Sequence, residues 1–301
     1  MWRALTLAVV SVALGGCANF RAVSEFAQQT AKVTAVVRVE VQQLDSICVE
    51  QAELTIVLNG GGDEGPLKAC GESRQAQGRL AGVTLDVLDE FARVLNGLAD
   101  DSAFDLDSDI DNVGAKLQSL RDRAGNSIVS DAEVTAIVKV AQLIADIATQ
   151  AKREAAVRRL VQEKQYLATL GRILRSYFAA DPQAPPGRAK PAYVNLVALN
   201  SDALALSEAM LGSGAFKRAE PIRTVEHLRG LRARKAELQA RSGPTAPVPV
   251  AIVEAHDAWQ AALDAFSEDA LKPDPKAFAD RLKQLRTKAK AARDAVRAAN
   301  V

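Results

Sequence analysis

The chain has 301 residues, 25% of them charged and only 4% aromatic, and this composition favours a helical protein with a substantial core. Its formal net charge of +1 hides an asymmetry, because residues 1–150 hold 12 Lys/Arg against 21 Asp/Glu whereas residues 151–301 hold 26 against 16. The two halves could attract each other within a molecule or between copies, while the lack of a basic-aromatic motif argues against a nucleic-acid partner.

The N-terminus has the pattern of an export signal. Arg3 precedes an apolar run over residues 4–14, which is too short to span a membrane, and small residues follow the run. The sequence at its end is Leu14-Gly15-Gly16-Cys17. This tetrapeptide resembles the lipobox of bacterial lipoproteins. An ordinary secretory signal that happens to precede a cysteine is the alternative.

The resemblance implies a membrane anchor. Residues 1–16 would be a signal peptide removed by cleavage between Gly16 and Cys17, and Cys17 would carry three acyl chains. In Gram-negative lipoproteins an aspartate after the cysteine often causes retention in the inner membrane, and this chain has Ala18 and Asn19 instead. The expected location is therefore the outer membrane of a bacterial envelope, with the protein facing the periplasm.

Two further cysteines flank a turn signal. Cys48 and Cys70 lie on either side of residues 59–66, a glycine-rich segment that ends in proline. Because the periplasm is oxidising, we predict a Cys48–Cys70 disulfide near the tip of a helical hairpin. A redox-active or metal-binding thiol pair is the alternative.

Apolar residues that recur at helical spacing predict the two arms of this hairpin. In the first arm they are Val23, Phe26, Val33, Val37, Leu44, Ile47, Leu54 and Leu58. In the return arm they are Leu80, Leu85, Leu88, Phe91, Leu95 and Leu98.

An acidic segment follows the hairpin. Asp105, Asp107 and Asp109 alternate like the first ligands of an EF-hand, but Ile110 and Lys116 stand where that loop needs glycine and glutamate. The three aspartates are therefore only weak candidates for binding a divalent cation. The alternative is an acidic segment before a helix, where carboxylates favour the helix dipole.

The middle of the chain predicts one very long helix. Ser130 and Glu133 form a capping box, and no proline interrupts the helical pattern until Pro182. The expected helix, at about residues 131–179, would be about 74 Å long at 1.5 Å per residue. Gly171 would permit a bend without ending it.

A proline-rich segment divides the C-terminal part of the chain. We predict a helical bundle over residues 17–241, a linker or crossing over residues 242–249, and a C-terminal helical hairpin over residues 250–301 that packs on the bundle. The last helix is basic on one side, at Lys283, Lys290 and Arg297. The basic half of the chain, residues 151–301, could face an anionic polymer of the envelope.

Common catalytic signatures are absent from the sequence. It contains no His-Glu-x-x-His, Ser-x-x-Lys or Gly-x-Ser-x-Gly motif, and its two histidines, His227 and His256, are expected on solvated surfaces. Neither a cofactor nor an enzymatic activity is therefore expected. An envelope enzyme would need an acidic or histidine-centred site that the sequence does not display.

The sequence thus predicts an all-α protein, an elongated antiparallel bundle of coiled-coil-like helical hairpins. The expected function is that of a non-enzymatic scaffold or interaction module anchored to the outer membrane, with a protein partner in the envelope or a second copy of itself. The alternative is a periplasmic binding protein for a small molecule or lipid. An apolar cavity between helices would favour the binding protein, and an exposed apolar stripe would favour the interaction module.

Overall fold

The computed structural model is all-α over the part of the chain that it describes and contains no β-strand there, which confirms the predicted fold class. The described residues are 2–58, 63–100, 117–118, 120, 125–149, 153–188, 205, 233, 236–241, 245–266 and 276–300.

Six long helices account for most of these residues. They are α1 (Trp2–Leu58), α2 (Gly65–Asp100), α3 (Asp131–Thr149), α4 (Arg153–Arg175), α5 (Pro247–Ala265) and α6 (Lys276–Ala299). A short 3-10 helix, Pro186–Arg188, and a helical segment at 236–241 lie between α4 and α5 in the chain. The helices pack in consecutive pairs, and one cluster of buried apolar side chains joins the three pairs.

The first pair is the predicted antiparallel hairpin. Ser24 Oγ of α1 donates a hydrogen bond to Asn96 Oδ1 of α2 at 2.7 Å, and farther along α1 a disulfide joins Cys48 to Cys70. Residue numbers therefore rise along α1 as they fall along α2. The predicted apolar residues with described side chains are all buried: Val23, Phe26, Val33, Val37, Leu80, Leu85, Leu88, Phe91, Leu95 and Leu98. The side chains of Leu44, Ile47, Leu54 and Leu58 lie outside the described residues.

The predicted long helix is two helices in the structure. α3 ends at Thr149, α4 begins at Arg153, and the two pack against each other. Arg159 Nη2 of α4 lies 3.7 Å from Asp146 Oδ2 of α3, although these residues would be about 20 Å apart along one continuous helix. The prediction of a single helix over residues 131–179 is therefore wrong.

Burial of apolar side chains explains why the chain reverses. Ile144 and Ile147 of α3 and Val157 and Leu160 of α4 are all fully or almost fully buried. A single extended helix would spread these residues over a length that few neighbours cover, whereas two packed helices cover each other. Residues 150–152 contain neither proline nor glycine, so local propensity gives no sign of the reversal.

The start of α3 is as predicted. The backbone N–H of Ser130 donates to Glu133 Oε2 at 2.9 Å, and the backbone N–H of Glu133 donates to Ser130 Oγ at 3.3 Å. These two reciprocal hydrogen bonds are the capping box, and they satisfy N–H groups that the helix itself leaves without acceptors.

The start of α5 differs from the prediction. α5 begins at Pro247, with Pro249 also in its first turn, where a missing N–H removes no helical hydrogen bond. α5 therefore begins within the segment predicted as a linker or crossing, residues 242–249, of which residues 242–244 lie outside the described part.

Aromatic side chains attach the C-terminal hairpin to α1. The ring of Phe26 lies 6.2, 5.8 and 6.1 Å, centroid to centroid, from the rings of Trp259, Phe266 and Phe278. On the α4 side, a Cβ built at Gly171 would be only 2.5 Å from Cζ3 of Trp259. Gly171 therefore allows α4 to approach the indole of α5, whereas the sequence suggested a bend there.

Candidate functional site

The predicted anchor residue lies within α1. The backbone of Cys17 is helical, and the first side chain that the structure describes is that of Phe20, which packs against the core. The first fully buried side chain among the described residues is that of Val23. An acyl group on Cys17 would therefore be joined to the folded bundle through less than two turns of helix. None of the helices in the described residues is both long and apolar enough to cross a membrane.

The disulfide lies far from the predicted anchor. The Cα atoms of Cys48 and Cys70 are 5.9 Å apart, and the bond ties α1 to α2 across a sequence separation of 22 residues. Cys48 is 31 positions beyond Cys17, which corresponds to about 46 Å along α1. The geometry brings together the two cysteines that the sequence predicts to pair.

The weak metal candidates are not part of the described structure. Asp105, Asp107 and Asp109 lie outside the described residues, as does His227. Within the ranges that are described, no group of three or more His, Cys, Asp or Glu is arranged to hold a metal ion.

His256 is buried in the core, so its expected position on a solvated surface is wrong. Its residue exposure is 4%, and Nε2 has no hydrogen-bond partner among the described residues. Burial lowers the pKa of His256 to about 4, with Asp257 acting in the opposite direction and Arg175 in the same one. The imidazole is therefore neutral at pH 7. A signal was present in the sequence, because His256 shares a helix face with Ile252 and Trp259.

A buried ion pair connects three segments that are distant in sequence. Arg241 and Glu40 of α1 are both inaccessible to solvent, and Arg241 Nε lies 3.1 Å from Glu40 Oε2. Arg241 Nη1 also donates to Glu237 Oε1 at 2.8 Å and to the carbonyl oxygen of Ala299 at 3.2 Å, while Nη2 donates to Asn300 Oδ1. The guanidinium thus joins α1, the helical segment 236–241 and the end of α6.

A second buried pair uses the capping glutamate of α3. Arg188 Nη2 lies 2.5 Å from Glu133 Oε1, and Arg188 Nη1 donates to the carbonyl oxygen of Ile128 at 2.9 Å. The side chains of both charged residues are at most 3% exposed. Sequence reasoning identified Glu133 as a cap but missed its partner.

Two of the cavities among the described residues are open grooves. A groove of about 550 Å³ between α5 and α6 is lined by charged side chains, including Glu254 and Lys288, which form an ion pair at 2.8 Å. A smaller cavity of about 280 Å³ follows the end of α4, where Arg172 Nε lies 3.7 Å from Asp181 Oδ2. Neither resembles the enclosed apolar cavity that a bundle binding a lipid would offer.

The chain matches no protein-family model, and its comparison with curated proteins and with solved structures gives no match either.

Proposed function

We propose that this protein is a lipid-anchored, non-enzymatic interaction module of the bacterial envelope, held in the outer membrane and facing the periplasm. The observation that carries the proposal is the sequence Leu14-Gly15-Gly16-Cys17 after a short apolar run. Its position supports the proposal, since Cys17 immediately precedes the part of α1 that enters the core.

Three acyl chains on Cys17 would hold the bundle at the membrane. Each buried methylene group contributes about 0.8 kcal/mol to membrane affinity, and a single chain gives only marginal binding. Three chains on one residue would make attachment effectively permanent. The helix α1 would then connect that point directly to the bundle.

The buried charged groups support a structural rather than a catalytic role. Glu40 with Arg241 and Glu133 with Arg188 form ion pairs in the interior, where they are shielded from solvent. His256 is neutral and has no acid–base partner for Nε2 in the described structure. A general acid or base must reach a substrate proton, and none of these groups is accessible to one.

The exposed surface favours a partner that is recognised by polar contacts. Among the described residues the large apolar side chains that are exposed are Val39 and Val250, at 38% and 37%, on different helices. They do not form the exposed apolar stripe that would favour an interaction module, so a partner would have to be recognised through polar contacts.

Cell fractionation tests the anchor. Wild-type protein should be recovered in the membrane fraction, whereas Cys17→Ser should be released into the soluble fraction because it cannot be acylated. The control is the double variant Cys48→Ser/Cys70→Ser, which removes two cysteines but keeps Cys17 and should therefore remain in the membrane fraction. Retention of Cys17→Ser in membranes would contradict the anchor.

Crosslinking in intact cells tests the interaction role. Wild-type protein should give reproducible protein crosslinks that mass spectrometry can identify, and Cys17→Ser should lose them because it is no longer held at the membrane. An absence of protein crosslinks, together with a small molecule or lipid that co-purifies with the bundle, would instead support a binding protein.

A further inference from the structure

The last helix carries an unusual excess of positive charge. α6 contains eight Lys or Arg and two Asp, so its net charge is +6. Its core side is apolar and includes Phe278, Leu282 and Leu285, all buried. The cations are therefore confined to the remaining surface of the helix.

Six of these cations form a stripe along one side of α6. Their spacing of seven, three, four, three and four residues places them within about 100° of one another around the helix, over a length of about 32 Å. All six residues are exposed. We refer to the set as the basic stripe: Lys276, Lys283, Arg286, Lys290, Arg293 and Arg297.

The basic stripe is only partly neutralised. Arg286 lies 3.7 Å from Glu25, and Lys290 lies 2.7 Å from Asp294, which also lies 3.8 Å from Arg293. Within the described residues, Lys276 and Lys283 make no ion pair. Exposed pairs such as these are weak and leave most of the positive field in place.

Contacts with α1 place the stripe beside the predicted anchor. Arg286 reaches Glu25, and Phe278 contacts Phe26, whereas the far end of α6 meets Arg241 next to Glu40. α6 therefore runs parallel to α1, with its N-terminal half near the anchored end. Glu25 is eight positions beyond Cys17, or about 12 Å along α1.

We propose that the basic stripe binds the anionic phospholipid headgroups of the bilayer that holds Cys17, so that the bundle lies along the membrane. This inference rests on the proposed anchor. An anchored protein keeps the N-terminal part of the stripe within about one Debye length of the headgroups, which is about 10 Å at 0.1 M salt. Each Lys or Arg brought near an anionic surface raises binding by about fivefold.

The anchor is what favours a bilayer over a second copy of the chain as the partner. Acyl chains on Cys17 would place the stripe next to headgroups at all times, whereas an encounter with another acidic surface depends on concentration.

Vesicle binding by residues 18–301 tests the proposal without any contribution from acyl chains. All described core residues lie at or after Phe20, so this chain keeps the described core. It should bind vesicles of phosphatidylcholine with one third phosphatidylglycerol, fail to bind pure phosphatidylcholine, and dissociate in high salt. Equal binding to both kinds of vesicle would overturn the proposal, as would no binding to either.

Matched variants separate the effect of the basic stripe on vesicle binding from the effect of net charge. Lys283→Gln/Lys290→Gln/Arg297→Gln should weaken binding to the anionic vesicles by about 100-fold, since three cations are removed. The control is Lys68→Gln/Arg79→Gln/Lys139→Gln, which removes the same charge from exposed positions on α2 and α3 and should change binding by less than about tenfold. Equal losses in the two triple variants would overturn the assignment to the stripe. Circular dichroism should show both variants folded, because every substituted side chain is exposed.

Two further measurements distinguish a failure of the proposed stripe from a failure of the proposed anchor. Light scattering should find the unacylated chain monomeric, and a dimer that only the stripe variant abolishes would mean that the stripe binds a second copy instead. Fractionation of Cys17→Ser cells reports on the anchor alone. Release of Cys17→Ser together with failed vesicle binding would therefore overturn the stripe and leave the anchor intact.

Discussion

Gly171 of α4 tests the packing of the C-terminal hairpin on the rest of the protein. In an open helix interior, Gly→Ala stabilises by about 1 kcal/mol because alanine has the higher helix propensity. At Gly171 the new Cβ would be 2.5 Å from Cζ3 of Trp259, closer than carbon atoms approach without bonding, and 3.1 Å from Cε3, a tight contact. Overpacking of this kind costs about 1–3 kcal/mol.

The indole of Trp259 has little freedom to move away. Trp259 is 2% exposed, and its Nε1 donates to Thr30 Oγ1 of α1 at 2.9 Å, a bond whose loss would cost about a further 1 kcal/mol. We therefore expect Gly171→Ala to lower the free energy of unfolding by about 1–3 kcal/mol, because the packing penalty and the lost hydrogen bond together exceed the gain in propensity.

A matched glycine on α2 provides the control. A Cβ at Gly82 meets nothing within 4 Å, so Gly82→Ala should raise the free energy of unfolding by about 0.5–1 kcal/mol. Urea denaturation followed by circular dichroism measures both variants. If Gly171→Ala stabilises the protein as much as Gly82→Ala does, the close approach of α4 to Trp259 is refuted.

Three other predictions concern buried groups and the disulfide. Glu40→Gln should lower the free energy of unfolding by about 3 kcal/mol in urea denaturation, because it removes the buried carboxylate that faces Arg241 and leaves Glu237 as the remaining acidic partner. Glu40→Leu/Arg241→Met should cost much less, and equal costs would contradict the described pair. Cys48→Ser/Cys70→Ser should lower the free energy of unfolding by about 3 kcal/mol, which is the loss of chain entropy expected for a cross-link across 22 residues. An unchanged urea midpoint would argue against the disulfide. The pKa of His256 is about 4 when folded and 6.5 when unfolded, so the unfolded chain binds more protons and stability falls as the pH drops through this window. The loss should be about 2 kcal/mol between pH 7.5 and pH 5, and His256→Gln should remove that part of the pH dependence measured by urea titration.

Local patterns in the sequence were sufficient for the all-α class and the first hairpin. Apolar residues such as Val23, Phe26 and Val33 recur at helical spacing, and the glycine-rich segment between Cys48 and Cys70 indicates that the chain reverses direction. The same is true of the capping box, whose residues are only three positions apart. Each of these features depends on residues that are close together in the chain.

The features that sequence reasoning missed depend on distant contacts. Arg241 and Glu40 are 201 positions apart, and nothing local to either residue indicates the other. The reversal between α3 and α4 likewise follows from the burial of two apolar faces, since residues 150–152 carry no turn signal. His256 is a different case, because its place on the buried face of α5 could be predicted from its helical spacing to Ile252 and Trp259.

The central claim is that Cys17 anchors the protein, and mass spectrometry of its N-terminus tests this most directly. Trypsin cleaves after Arg21, so the protein purified from membranes should yield the peptide Cys17–Arg21 with three acyl chains on Cys17 and no residue before it. Recovery of the unmodified peptide Ala4–Arg21, which retains the segment before Cys17, would contradict the claim.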